Sequence, residues 1–199
     1  MNHALQLFAV KGFEGTSVRD IAAAAQVNVA MMNYYFGSKE KLFEAVVEYK
    51  AAYMKDMLKA LEEDKTKTEI EKIDLIIEGY VRRLFSQKEF HRVLYQELLM
   101  LQRENLHGHI AEIFVKNTLI IKSIIEQGMR RKKFRKVDPA LTIATLIGSI
   151  TQVLVSRHMC NMLMNKSEDF DPYTNKSFIE RVIEHIQSIA HNHLLIDKK

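Results

Sequence analysis

The sequence predicts an all-α protein, and its composition is the first reason. Of 199 residues, only seven are glycine and two are proline, well below the roughly 12 % of average usage, which argues against turn-rich β folds. Hydrophobic residues make up 47 % and charged residues 27 % of the chain, as is typical of a globular protein. In several segments apolar residues repeat every three or four positions, the period of an amphipathic helix. We expect about nine helices.

The chain begins with signals for short helices joined by tight turns. Gly12 is suited to the left-handed conformation that ends a helix. The residues from Ser17 to Asp20 have the form of a capping box, in which a hydroxyl and a carboxylate bind each other's backbone N–H groups at a helix start. We therefore expect a first helix before Gly12 and a second helix directly after Ser17.

A third helix of about two turns is predicted from Asn28, a residue type that caps helix starts. Gly37 and Ser38 end this helix, and Ser38 caps a long fourth helix that begins at Lys39. The spacing predicts that Val27, Met32 and Phe36 pack inward. It predicts that the outward side chains are Val29, Ala30, Asn33 and Tyr34.

Such a short helix, held across a neighbouring helix, can enter the major groove of DNA. Asn33 is suited to bidentate pairing with adenine, and hydroxyl or ammonium groups can bind phosphate oxygens. The alternative is a structural lid with half-buried tyrosines. Residues 1–45 carry four basic and four acidic side chains, so nonspecific affinity for DNA should be modest.

Four segments of this region closely resemble the N-terminal domain of TetR/AcrR-type transcriptional regulators: Ala4–Phe8, Lys11–Phe13, Thr16–Ala22 and Asn33–Leu42. The resemblance implies a helix-turn-helix DNA-binding domain at residues 1–45. It also implies a larger, all-helical ligand-binding and dimerisation domain at residues 46–199. The positions that commonly touch DNA in this family are Thr16, Ser17, Arg19, Val29, Ala30, Asn33, Tyr34, Tyr35 and Lys39.

The chain departs from the family pattern in three places. Gln26 stands where the turn usually has glycine, Asn33 replaces a common tyrosine, and Met31 occupies a site that is usually smaller or polar. If Gln26 adopts a left-handed backbone, strain of about 1 kcal/mol is expected. Met1 falls inside the first helix that the resemblance implies, which leaves no basic N-terminal arm to add phosphate contacts.

Beyond residue 46 the sequence predicts further helices. Asp138-Pro139 and Asp171-Pro172 are interpreted as helix starts, because each pairs a capping carboxylate with a proline suited to the first turn. The basic run Arg130–Lys136 is interpreted as a solvated loop, with a nucleic-acid contact as the alternative. The predicted helices are an amphipathic one of about five turns that includes Ile70 to Leu84, then Glu89–Leu101, Asn105–Gly128, Pro139–Met164 and Tyr173–Leu195.

The resemblance implies a homodimer formed by the last two helices, about residues 139–164 and 173–195, and a small, largely apolar effector bound between the central helices. Aromatic rings and apolar side chains line many ligand sites. The pocket residues expected on this basis are Tyr80, Leu84, Tyr95, Leu98, Phe114, Leu119 and Ile147.

Taken together, these features predict a ligand-responsive repressor that binds a near-palindromic operator and releases it on effector binding. The alternative is a helical small-molecule-binding or interaction protein that has lost DNA binding. We expect no enzymatic activity, cofactor or metal site, because no phosphate-binding loop, nucleophile motif or metal-ligand spacing occurs. With one cysteine, no signal segment and no span of ~20 apolar residues, we expect a cytoplasmic protein without a membrane partner.

Overall fold

The computed structural model describes residues 1–99 and 104–196, and in these ranges the chain forms ten α-helices and no β-strand. This confirms the predicted all-α class. The helices are α1 Asn2–Lys11, α2 Val18–Ala25, α3 Val29–Phe36, α4 Lys39–Glu63, α5 Glu69–Ser86, α6 Lys88–Leu99, α7 Glu104–Arg130, α8 Pro139–Val155, α9 Arg157–Leu163 and α10 Lys176–Leu194.

The chain divides into two compact units. The first contains Met1–Tyr53 and Glu89–Val115, and the second contains Met54–Lys88 and Lys116–Lys199. The family resemblance implies a single boundary near residue 45, whereas the structure groups Glu89–Val115 with the N-terminal helices. The assignment of functions to residues 1–45 and 46–199 stays a prediction.

An aromatic cluster forms the centre of the first unit. The ring centroids of Phe8 and Phe13 lie 5.2 Å apart, and Phe43 meets Phe8 edge-on at 5.5 Å. All three side chains are buried, together with Phe90 and Ile110 of the later segment. Burial of aromatic rings is a large stabilising contribution, so this cluster holds α1, α2 and α3 against α4.

In the second unit α10 packs against α5 and α8. Polar side chains join α10 to α5: Arg82 Nη2 donates to Glu180 Oε1 at 2.8 Å, and His191 Nε2 lies 2.8 Å from Asp74 Oδ1. A further link joins the end of α7 to the start of α5, where Arg131 Nη1 lies 2.6 Å from the buried carboxylate of Glu69. These contacts join α5 to α10 and to the segment that follows α7.

The predicted helix Pro139–Met164 is wrong as a single helix. It breaks at Ser156, and α9 leaves α8 at an angle of 89°. The reason lies in the loop that follows, because Arg157 Nε and Asn161 Nδ2 both donate to the carbonyl of Phe170, at 3.0 and 2.9 Å. This break accounts for the tenth helix.

The predicted helix start at Asp171-Pro172 is also wrong. The Asp171 carboxylate accepts a hydrogen bond from the Tyr173 N–H at 3.0 Å and pairs with Lys88 Nζ at 3.1 Å, within a turn. Asn175 caps α10 instead, its side chain accepting from Phe178 N–H at 2.9 Å. Asp138 is confirmed as the N-cap of α8.

Gly128 allows the loop after α7 to fold back on its own helix. The ring of Phe134 lies so close that a Cβ on Gly128 would overlap it. Phe134 is buried, whereas most of the basic run Arg130–Lys136 is exposed, as the solvated-loop interpretation requires.

Among the described residues, no single helix has the length and apolar composition to cross a membrane. Within residues 1–99 and 104–196, one bent helix pair, Pro139–Val153 with Arg157–Leu163, meets those two criteria jointly.

Candidate nucleic-acid interface

The capping box predicted at the start of α2 is complete. Ser17 Oγ accepts a hydrogen bond from the Asp20 N–H at 3.1 Å, and Asp20 Oδ2 accepts one from the Ser17 N–H at 3.0 Å. The side-chain and backbone hydrogen bonds from Ser17 hold the pKa of Asp20 below its ordinary value. Asp20 therefore stays ionised in the first turn of α2, where a negative charge is favourable.

The turn between α2 and α3 is set by local hydrogen bonds. Gln26 has φ 55° and ψ 40°, so it takes the left-handed conformation that usually favours glycine. The N–H groups of Gln26 and Val27 close the end of α2 on Ala23 and Ala22, at 3.1 and 3.0 Å. Asn28 Oδ1 accepts from Ala30 N–H at 2.8 Å, and α3 thus begins immediately after the turn.

One face of α3 packs on the aromatic core of the first unit. Met32 is buried, and Val29 and Phe36 are half-buried against the same core. The expectation that Val29 points outward is therefore wrong, as is the inward position of Val27, which is exposed. Val29, Met32 and Phe36 follow the i, i+3, i+7 spacing of one helix face, and Val27 precedes the helix.

The opposite face of α3 is open. Ala30, Asn33 and Tyr34 are exposed, and Asn33 makes no side-chain hydrogen bond to a described residue. Tyr34 is 84 % and Tyr35 69 % exposed, with ring centroids 5.3 Å apart and nearly perpendicular planes. Two adjacent, solvent-facing tyrosines are not packing residues, and this excludes the half-buried alternative for them.

Thr16 and Ser17 are less available than predicted. Thr16 is buried, and its hydroxyl donates to the Gly12 carbonyl at 2.7 Å, which satisfies the end of α1. Its side chain therefore offers nothing to a phosphate. The Ser17 hydroxyl donates to Asp20 Oδ2 at 2.7 Å and accepts from the Asp20 N–H, so both of its hydrogen-bonding roles are occupied.

Lys39 is also held within the protein. Its Nζ donates to the Phe13 carbonyl at 2.8 Å and lies 4.4 Å from the centroid of the Phe13 ring. A third contact, to Glu14 Oε2 at 3.9 Å, leaves the side chain 18 % exposed. These contacts join the loop after α1 to the start of α4, so the structure gives Lys39 a positioning role that the sequence did not predict.

The remaining charges distinguish Arg19 from its neighbours. Lys41 Nζ lies 2.7 Å from Glu44 Oε2, and Lys11 Nζ lies 3.7 Å from Asp20. Arg19 is exposed on α2 and has no ion pair with a described residue. It is therefore the basic side chain of α2 that is open to an anion.

The expected pocket residues are divided between the two units, and their role as one ligand site stays a prediction. Tyr95, Leu98 and Phe114 belong to the first unit, where Leu98 and Phe114 pack against the aromatic core. Leu84 is buried in α5, and Leu119 is 54 % exposed.

Tyr80 and Ile147 do meet in the second unit. They line an apolar cavity of about 30 Å³ between α5, α7 and α8. Its other walls were missed by sequence analysis, although the aliphatic composition of α5 and α8 was a signal for them: Ile73, Ile76, Ile77, Ile121, Ile143, Leu146 and Ile150.

Comparisons with known proteins agree with this architecture. Residues 1–46 match the family described as "Bacterial regulatory proteins, tetR family", and residues 66–155 match "Tetracyclin repressor-like, C-terminal domain". The HTH-type transcriptional repressor NicS of Pseudomonas putida is 31 % identical over 151 residues, which cover 72 % of this chain and 68 % of NicS.

Two solved structures share the fold. The transcriptional regulator FadR from Bacillus subtilis, in complex with stearoyl-CoA, aligns with a TM-score of 0.73 at 21 % identity and covers 94 % of this chain and 95 % of its own. The TetR family regulator PfmR from Thermus thermophilus aligns with a TM-score of 0.73 at 18 % identity, covering 98 % of this chain and 97 % of its own.

The fold and the exposed face of α3 define a helix-turn-helix regulator. The chain belongs to the tetR family of bacterial regulatory proteins. It is a DNA-binding transcriptional regulator and not an enzyme.

Proposed function

We propose that the protein is a ligand-responsive repressor that binds a near-palindromic operator as a homodimer and is released by a small, largely apolar effector. The observation that carries the DNA-binding part is the outer face of α3. There Asn33, Tyr34 and Tyr35 are exposed while Met32, on the opposite face, is buried. The helix is thus anchored on one side and open on the other.

In this proposal α3 enters the major groove. Asn33 pairs with an adenine through its carbonyl and amino groups, which match the donor and acceptor of that base. Ala30 carries only a methyl group and permits close approach of the helix. The hydroxyls of Tyr34 and Tyr35 and the guanidinium of Arg19 bind phosphates and set the register.

In this proposal a structural role, and not a contact with DNA, belongs to Thr16, Ser17 and Lys39. Their hydrogen bonds, to Gly12, Asp20 and Phe13 respectively, shape the frame on which α3 is mounted.

The exposed surface of α8 supports dimerisation through the predicted segments 139–164 and 173–195. Leu141 is exposed there, and the small residues Ala144, Thr145 and Gly148 lie along the following turns. A Cβ added to Gly148 would meet nothing within 4 Å. Small residues on a helix surface let a second helix approach closely, and a two-fold axis would bring the same face of a second copy against it. Two α3 helices must then lie about 34–36 Å apart to reach successive major grooves.

The apolar cavity supports an apolar effector. All its lining side chains are uncharged, and all except Tyr80 are aliphatic. Stearoyl-CoA, the ligand in the Bacillus subtilis FadR structure, carries a long hydrocarbon chain of matching chemistry. A ligand releases DNA only to the extent that it binds the released state more tightly than the DNA-bound state.

Selection of bound genomic DNA fragments, followed by fluorescence anisotropy, tests the proposal. Asn33→Ala should cost about 1–3 kcal/mol of discrimination at individual base pairs. Tyr35→Phe should weaken binding to matched and scrambled operators alike, whereas Tyr49→Phe, on an exposed tyrosine of α4, is the matched control.

Equal losses for Asn33→Ala on matched and scrambled DNA would refute its base-reading role. If no DNA fragment is enriched, even at low salt where phosphate contacts are strongest, the proposal that the protein binds an operator is overturned. The alternative, an interaction protein that has lost DNA binding, would then be favoured.

A further inference from the structure

A cleft lies between the start of α8 and the end of α10, within the second unit. Its volume is about 270 Å³, close to the lower limit of roughly 300 Å³ for pockets that bind small molecules. Leu146 lines both this cleft and the apolar cavity, and the other described residues of the cleft take no part in that cavity. The cleft is therefore a second space, and a larger one than the cavity of about 30 Å³.

Aliphatic side chains form one part of the cleft wall. They are Leu141 and Leu146 of α8 and Ile189 and Ala190 of α10. Leu146 and Ala190 are buried, whereas Leu141 is 67 % exposed. A hydrocarbon chain that covers Leu141 would remove apolar surface from water, which favours binding. This part of the cleft suits a short alkyl chain.

Asp138, the N-cap of α8, gives the cleft a negative charge. Its Oδ1 accepts hydrogen bonds from the N–H groups of Ala140 and Leu141 at 2.8 and 3.1 Å. Its Oδ2 makes no hydrogen bond, and the carboxylate no ion pair, with a residue that the structure describes. One carboxylate oxygen in the cleft is thus open to a ligand.

His193 supplies a second hydrogen-bond acceptor to the cleft. Its Nε2 lies 3.0 Å from Thr142 Oγ1, and the Thr142 hydroxyl donates its one hydrogen to the Asp138 carbonyl at 2.7 Å. Nε2 must therefore carry the hydrogen that joins the two side chains, which leaves Nδ1 of the neutral ring as an acceptor. Among residues 1–99 and 104–196, Nδ1 has no hydrogen-bond partner. A head group that fits Oδ2 of Asp138 and Nδ1 of His193 must donate hydrogen bonds.

We infer that the cleft binds a primary alkylammonium ion, with its head group at Asp138 and His193 and its hydrocarbon chain on the aliphatic wall. An ammonium group carries three N–H donors and a positive charge, so it matches both acceptors and the carboxylate. A carboxylate head group would meet a like charge, and an alcohol has only one hydrogen to donate. The site is separate from the apolar effector cavity, and its occupation requires neither DNA nor that effector.

A second copy of the chain is the competing occupant, because Leu141 and Thr145 of the cleft also belong to the α8 face proposed for dimerisation. A helix packed across the polar end would bury the Asp138 carboxylate. Burying a carboxylate without a counter-charge is costly, whereas an ammonium ion supplies that charge. The unpaired carboxylate therefore favours the small cation.

Calorimetric titration of the full chain at pH 7 with butylammonium, hexylammonium, hexanoate and 1-hexanol tests the inference. Hexylammonium should bind at least about tenfold more tightly than hexanoate, and more tightly than 1-hexanol. From butylammonium to hexylammonium, affinity should rise roughly three- to fourfold for each methylene group that becomes buried. In NMR spectra the ring signals of His193 should shift during the titration, whereas those of His185, which is exposed on α10 outside the cleft, should not.

Asp138→Asn removes the charge and keeps a residue type that caps helix starts. It should weaken hexylammonium binding roughly threefold and leave the affinity for 1-hexanol unchanged, which also shows that the cleft is intact. The matched control Asp169→Asn removes the same charge from an exposed position outside the cleft. It should leave both affinities unchanged.

Several outcomes would overturn the inference. They are a wild type that does not bind hexylammonium, equal affinity for hexylammonium and hexanoate, an Asp138→Asn variant with unchanged affinity, or His193 signals that do not move. An affinity that falls as the protein concentration rises would mean that a second copy covers the cleft, and this result would also defeat the inference. Because neither DNA nor the apolar effector takes part in these measurements, none of these results bears on the proposed repressor function.

Discussion

The surface of α2 and α3 and the apolar cavity are built in opposite ways. The surface depends on hydrogen bonds between near neighbours in sequence, such as the Ser17–Asp20 capping box and the Asn28 cap, and its functional side chains point to solvent. The cavity depends on aliphatic side chains from α5, α7 and α8, distant in sequence. Caps contribute about 1 kcal/mol each, and buried side chains several times that. Changes to local signals should therefore alter the geometry of binding, whereas changes to buried groups should alter folding.

The largest change in unfolding free energy is expected at the buried aromatic cluster on which the surface of α2 and α3 rests. Phe43→Ala removes a ring that packs edge-on against Phe8 and Phe13 at 5.5 and 5.4 Å. The variant should lose about 3–5 kcal/mol of unfolding free energy, measured by urea denaturation followed by circular dichroism. Tyr49→Ala, on the same helix but exposed, should change stability by less than about 0.5 kcal/mol. Similar losses in both variants would show that the aromatic cluster is not what holds α3 in place.

A glycine pair compares the two units directly. Gly128→Ala places a methyl group against the buried ring of Phe134, whereas a Cβ at Gly108 meets nothing within 4 Å. Both positions lie inside α7. We expect Gly128→Ala to lower the unfolding free energy by about 1–2 kcal/mol, since overpacking exceeds the gain in helix propensity. Gly108→Ala should raise it by roughly 0.5–1 kcal/mol.

Thermal and urea unfolding of the two glycine variants would measure this difference. A Gly128→Ala variant that is more stable than the wild type would mean that the Phe134 ring moves away from α7 at little cost in free energy.

Sequence reasoning performed best where the signal is local. Gly12 predicts the end of α1, the Ser17 capping box predicts the start of α2 and Asn28 predicts the start of α3. Each acts through residues two to four positions away. Gln26, at the position where the family pattern usually has glycine, does adopt the left-handed conformation.

Several of the differences between prediction and structure involve contacts between residues that are distant in sequence. The break between α8 and α9 depends on Arg157 and Asn161 binding a carbonyl of a later loop. The internal position of Lys39 depends on the Phe13 carbonyl, 26 residues earlier. Of the seven expected pocket residues only Tyr80 and Ile147 line the cavity, because periodicity shows that a side chain is buried and not which helices it meets. No spacing rule supplies that information.

The two capping boxes allow the surface of α2 and α3 to be compared with the second unit through smaller changes, of about 1 kcal/mol in unfolding free energy. Ser17 and Thr68 each accept a hydrogen bond from the backbone of a carboxylate residue, Asp20 in α2 and Glu71 in α5. Ser17→Ala and Thr68→Ala should each cost about 1 kcal/mol of stability. Only Ser17→Ala should also weaken operator binding in anisotropy titrations, because α2 carries Arg19 and supports α3. Equal effects on DNA affinity would indicate that stability alone controls binding.

The smallest effect is expected for the loss of folding stability at acid pH that the same two capping boxes cause. Hydrogen bonds from Ser17 and from Thr68 lower the pKa values of Asp20 and Glu71 from the ordinary 3.8 and 4.5. A carboxylate with a lowered folded-state pKa stabilises the protein above its unfolded-state pKa, and this contribution disappears as the pH falls through the folded-state pKa. Stability from these boxes is therefore complete at neutral pH and declines below about pH 4.5.

Asp20→Asn and Glu71→Gln should each flatten the fall of the urea midpoint between about pH 6 and pH 3, whereas Glu40→Gln, which lies outside both boxes, is the control. Because the two carboxylates act locally, their effects should add; a double variant that flattens the profile no more than one single variant would contradict the independence of the two regions.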